Sequence, residues 1–185
     1  MKKSEKTGEE PSSCLNRRRF LLASGGVTMT SMLLNLPGVV GELHAEVAEY
    51  PRKKIAKLSD LKADTPINFQ YPDKNPLHGM SFLVKLGEEA GGGVGPKKDI
   101  VAFSSLCTHM GGLMVGTYRK EDKIAGPCPL HLTTFDLTRH GMVVAGHATE
   151  SLPQVVLEVE GGDIYAKGIL GLVYGKRDNL DTAAA

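Results

Sequence analysis

The chain has 185 residues, 41% of them apolar and 23% charged, with a formal net charge of +1. That length suffices for one ordinary domain with its own core, and the composition is that of a folded globular chain, not a disordered one. Residues 1–45 hold six Lys/Arg against four Asp/Glu, which leaves 16 against 17 in the rest; a body so nearly neutral lacks the basic footprint of a nucleic-acid binder.

In chain order, residues 1–45 read as an address. Arg17-Arg18-Arg19 precede Phe20-Leu21-Leu22, and no charged side chain occurs from Phe20 to Gly41. Adjacent arginines before an apolar run softened by Ser24, Thr28, Thr30, Ser31 and Asn35 match a twin-arginine export signal. The expected location is the periplasm, with cleavage after Ala45. The run is also long enough to cross a bilayer, so a retained membrane anchor is the competing reading. Gly25, Gly26, Pro37 and Gly38 argue against an ordinary buried helix. Cys14 falls inside this leader and is incidental, and the folded domain is expected over 46–185.

The body reads as short strands. Ile67 to Tyr71, Ser81 to Leu86 and Ile100 to Phe103 are apolar or alternating runs bounded by Pro, Gly or charge. Gly87 to Lys98 is a glycine-rich loop. Gln154 to Glu160 alternates with Val155, Leu157 and Val159 on one face, and Glu160-Gly161-Gly162-Asp163 signals a tight hairpin into Ile164 and Ala166. No segment after residue 50 keeps a helical period, so the expected class is all-β, an antiparallel sandwich or barrel.

Two boxes carry the chemistry. Cys107-Thr108-His109-Met110-Gly111-Gly112 and Cys128-Pro129-Leu130-His131-Leu132-Thr133-Thr134-Phe135-Asp136 each place one thiol and one imidazole within a few residues. Eighteen residues separate His109 from Cys128, enough to bring two loops over one site. Thiolates suit iron–sulfur iron, and imidazoles suit the other iron of an asymmetric pair. A structural Zn²⁺ also accepts Cys₂His₂, although the usual zinc order pairs Cys with Cys and His with His.

The C-x-H and C-x-x-H boxes resemble those of the Rieske family. That resemblance implies a Rieske-type antiparallel β-sandwich with a small cluster-binding subdomain at about 104–150, and one [2Fe-2S] cluster per chain. Cys107 and Cys128 would hold the buried iron, and His109 and His131 the outer one. Over about 50–175 the chain is similar to the small subunit of arsenite oxidase in particular. The similarity lies in both boxes, in GHATESLPQVVL (146–157) and in DIYAKGILGLVYG (163–175). This further resemblance implies an electron-transfer subunit that does not oxidise arsenite alone. Its electrons would come from a molybdopterin-containing large subunit and pass to a periplasmic cytochrome c or copper protein.

Rieske proteins of cytochrome bc complexes carry a further Cys in each box, joined as a disulfide. The corresponding positions here are Gly112 and Leu130, so that bridge is absent. Thr133 stands where those proteins have a Ser donating to a cluster sulfide, and Phe135 where they have a Tyr. A potential below theirs is therefore expected. A bc-type role and a Rieske ferredoxin of an oxygenase system remain alternatives, the latter opposed by the export signal. Met110, Leu113 and Met114 read equally as a water shield or as core, while His44, His78, His140 and His147 read as ordinary loop or leader residues.

Overall fold

A computed structural model describes residues 49–72 and 74–180. The chain divides into two units, Met1–Val47 and Ala48–Ala185, and the leader expected over 1–45 lies outside the described residues.

Ten strands follow in order: β1 Lys53–Lys57, β2 Ile67–Gln70, β3 Met80–Lys85, β4 Ile100–Ser104, β5 Tyr118–Arg119, β6 Ile124–Ala125, β7 Thr134–Asp136, β8 Met142–Ala145, β9 Gln154–Glu160 and β10 Asp163–Leu170. Among the described residues a single 3-10 turn, Leu58–Asp60, is the only helical element. The all-β expectation holds. One sheet has the order β1-β10-β9-β4-β3-β2, the other β5-β6-β7-β8, and the paired strands in both are antiparallel.

Two apolar clusters explain why these segments are strands. In β3, Phe82 and Val84 belong to one cluster while Leu83 belongs to the other; in β4, Val101 and Phe103 alternate with Ile100 and Ala102 in the same way. Side chains of a strand point to opposite faces in turn, so β4 is covered on both, and all five of its residues are buried. That double burial accounts for its unbroken apolar run. The second cluster also takes Ile55 from β1 and Ile67 and Phe69 from β2. These are the two edge strands of the large sheet, so the sheet curls around that cluster. The first cluster joins β3 and β4 to Ala125 and Phe135 of the small sheet, to Leu137 just after β7, and to Cys107 and Cys128.

Local chemistry sets the β9–β10 hairpin. Gly161 and Gly162 both have positive φ, 57° and 86°, which a two-residue turn of this kind requires and glycine supplies without strain. β1 escapes a pattern search because its KKIAK run is mostly lysine. It pairs with β10, and lysines suit the open edge of a sheet because they discourage further pairing.

Candidate metal centre

Both boxes fold into loops closed by the same pair of backbone bonds. In the first, the Cys107 N–H donates to Gly112 O and the Gly111 N–H to Cys107 O, each at 2.8 Å. In the second, the Cys128 N–H donates to Thr133 O at 2.8 Å and the Leu132 N–H to Cys128 O at 2.9 Å. The residue before each loop's last is left-handed, Gly111 at φ 68° and Leu132 at φ 64°. Glycine adopts that conformation freely; for leucine it costs about 1–2 kcal/mol, strain of the kind that clusters at functional sites.

The loops deliver the four candidate ligands as two pairs. Cys107 and Cys128 are buried and their thiols lie within hydrogen-bond reach of one another. Gly112 packs directly against this pair: a Cβ there would fall 2.5 Å from the Cys128 sulfur. The imidazoles of His109 and His131 meet edge to face, with centroids 4.8 Å apart and planes at 85°. His109 is half-buried and His131 exposed. Among the described residues no three His, Cys, Asp or Glu side chains converge as a single ion would require. The division into an inner sulfur pair and an outer nitrogen pair suits two irons better than one Zn²⁺.

Burial pushes the Cys107 thiol up, while the backbone N–H of His109 pulls it down; the neighbouring Cys128 adds to the rise and the Thr133 hydroxyl opposes it. The N–H and the hydroxyl are therefore donors aimed at a sulfur that carries negative charge once it binds metal. Thr133, which the sequence marked as a donor, is fully buried. Phe135 is fully buried in the apolar cluster that contains both cysteines and offers no hydroxyl. Of the three residues considered as a water shield, only Met114 is buried; Met110 and Leu113 are exposed.

A third loop, 146–153, clasps the other two. The Thr108 hydroxyl donates to Glu150 O at 2.8 Å, and the His147 N–H donates to the Thr133 hydroxyl oxygen at 3.3 Å. Gly146 lies so close to Thr133 that a Cβ would fall 2.4 Å from its Cα. The loop brings the His147 ring to 5.6 Å from that of His109, a proximity the sequence reading missed by treating His147 as an ordinary loop residue. A signal for it was present: His147 lies in a run from His140 to Thr149 with no charged side chain. His140, by contrast, lies outside this set, and its Nδ1 meets Gln154 Oε1 at 2.8 Å.

The family model described as the Rieske [2Fe-2S] domain matches residues 52–157. The chain is 58% identical over 163 residues to the iodate reductase subunit IdrB of Pseudomonas sp. (strain SCT), covering 88% of this chain and 83% of that protein. It is 59% identical over 170 residues to IdrB of Denitromonas iodatirespirans, covering 90% and 88%. Among solved structures, the soluble domain of the Rieske protein II (soxF) from Sulfolobus acidocaldarius superposes with a TM-score of 0.58 at 28% identity, over 68% of this chain and 81% of that one. With two thiols, two imidazoles and the loops that hold them in place, the chain belongs to the Rieske [2Fe-2S] family, and its cofactor is a Rieske-type [2Fe-2S] cluster.

Proposed function

We propose that this chain is the electron-relay subunit of an oxidoreductase complex of the iodate reductase type, working with a molybdenum-containing large subunit. In this reading Cys107 and Cys128 bind the buried iron and His109 and His131 the outer iron, so the cluster can store one electron at a time. The chain's own residues hold the site ready: Thr133 and the His109 N–H donate toward the ligand sulfur, Gly112 packs directly against the sulfur pair, and Met114 with Phe135 keeps water from the inner side.

The observation that carries the proposal is the character of the surface around the imidazoles. Glu150 is the one Asp, Glu, Lys or Arg in the three loops 107–112, 128–133 and 146–153, and none occurs in 104–118, 124–135, 140–149 or 168–175, which form or adjoin them. Met110, Leu130 and Leu132 are each more than half exposed there. A nearly uncharged apolar face of this kind fits a subunit held by contact. A soluble carrier steered in by long-range charge would be matched by a charged rim. The identity to iodate reductase subunits over almost the whole chain supports that complex, in which electrons would flow inward, because reduction of iodate consumes them.

The similarity of 146–157 and 163–175 to the arsenite oxidase small subunit supports a second reading with the flow reversed, toward a periplasmic cytochrome c or copper protein. Mixing experiments separate the two. The pre-reduced chain and its large subunit should be reoxidised on adding iodate, followed by the cluster's absorbance, and should not be when the large subunit is omitted. Reduction of the oxidised pair by arsenite would favour the second reading. Neither response, with a large subunit active toward an artificial donor, would overturn both.

Export is part of the same proposal. A folded, cluster-loaded chain needs a route that carries folded proteins, and the arginine run with its weakly apolar sequel matches one.

A further inference from the structure

His147 has no part in the four-ligand scheme, yet the fold holds it with care. On one side Gly146, at φ 98°, is pressed against Thr133 with no room for a Cβ. At the residue itself the backbone N–H is bonded to the Thr133 hydroxyl oxygen. On the other side Ala148 packs on the apolar cluster containing both cysteines, and Glu150 O accepts from Thr108. These anchors fix the loop's backbone beside the first box, and from there the His147 ring lies tilted 37° to the His109 ring, with centroids 5.6 Å apart. His109 is the half-buried member of the imidazole pair and His131 the exposed one.

We propose that His147 is a positioning residue of the tip: its imidazole covers that of His109, so that His131 alone presents a bare ligand ring to the partner. This rests on the relay reading, in which both rings ligate the outer iron. Two chemically equivalent ligands are thereby made unequal by their neighbours, and the partner meets one defined edge of the site instead of two. A single contact ring fixes the docked orientation, which matters for a subunit that must hand over an electron at a set distance.

The cover can be measured without turnover. The cluster-loaded full chain is treated with diethyl pyrocarbonate at one fixed pH, and the initial acylation rate of each histidine is read by peptide mass spectrometry. In the unmodified sequence His109 should react severalfold more slowly than His131. His147→Ala should bring His109 to a rate comparable with that of His131, and His147→Phe, which restores a ring, should keep it slow. The electron paramagnetic resonance signal of the reduced cluster should be unchanged in both variants, because no iron ligand is altered. Should His147→Ala lose its cluster, His147→Gln against His147→Phe carries the same comparison, the first exposing His109 and the second covering it. A cluster-loaded chain in which His109 reacts as fast as His131, or in which removing the ring leaves the His109 rate unchanged, overturns the inference alone. A chain that holds no [2Fe-2S] signal overturns the relay reading and this inference with it.

Discussion

At the scale of single residues, the site depends as much on missing atoms as on ligands. Gly112 stands where a bc-type Rieske protein has a bridging cysteine, and its bare Cα lets Cys128 sulfur approach a point 2.5 Å from where a Cβ would lie. A Cβ here would require the Cys128 sulfur to turn or its loop to shift, a shift that the cysteine of bc-type proteins at this position shows to be compatible with a cluster. Gly112→Ala should therefore change the cluster's spectrum and lower its iron content in part, while Gly116→Ala, where a Cβ would meet nothing within 4 Å and only the backbone at φ 77° is strained, should keep its full iron. Iron and acid-labile sulfide assays on both variants check this. Thr133 acts on energy more than on assembly. Its hydroxyl donates toward the Cys107 sulfur, and such a donor favours the more negative, reduced state. Thr133→Val should lower the reduction potential. A differential of about 1 kcal/mol in that bond corresponds to about 40 mV for one electron, and film voltammetry reads it directly.

At the scale of elements, the small sheet must be held to the large one without the loop disulfide. One tie is polar and partly buried. Asp64 lies between the 3-10 turn and β2, while Lys123 and Tyr118 come from the β5–β6 hairpin that runs into Cys128. Lys123 Nζ reaches Asp64 Oδ1 at 2.7 Å, and the Tyr118 hydroxyl donates to the same oxygen at 2.5 Å. Asp64 and Lys123 both have left-handed backbones, at φ 58° and 54°, so local strain is accepted where the contact forms. The Lys123 ammonium and then the Tyr118 hydroxyl hold the Asp64 carboxyl below its usual range. A depressed folded-state value means that the stabilisation is present above the unfolded value, near 4, and is lost as pH falls through the folded one. Asp64→Asn, which tolerates the same backbone, should cost about 1 kcal/mol near neutral pH. The gap between the two proteins should close as pH falls below about 4. Thermal unfolding across that pH range is the test.

At the scale of the whole molecule, the nearly uncharged tip and the charged remainder divide the labour. Charged side chains form ion pairs on the large sheet, as between Arg52 and Glu158 or Lys54 and Asp163, whereas Glu150 is the one charged side chain in the three loops around the imidazoles. Binding to the large subunit should accordingly depend little on salt, because screening acts on charge and not on apolar contact. Leu132→Asp, which puts a charge on that face, should weaken the complex by at least tenfold in Kd while the cluster spectrum stays intact; titration calorimetry at two ionic strengths measures both effects. Replacing Arg17 and Arg18 with Lys should leave the cluster-loaded chain in the cytoplasm, as fractionation and immunoblotting would show.

The family, the two Cys-His boxes and most of the large sheet were legible in the chain alone. Those are local properties: a thiol and an imidazole a few residues apart, alternation in Gln154–Glu160, and two glycines in a turn. The sequence could not disclose β1, whose lysines carry no apolar period, β5 to β7, too brief for a pattern to repeat, or β8, whose apolar residues are mostly exposed. Nor could it reveal that Met110 and Leu113 face outward, that Asp64 reaches Lys123 across 59 residues, or that His147 lies against His109. Such facts depend on how three loops far apart in the chain are brought together, and closure of that kind is decided by packing over the whole core, not by the residues on either side of a bond.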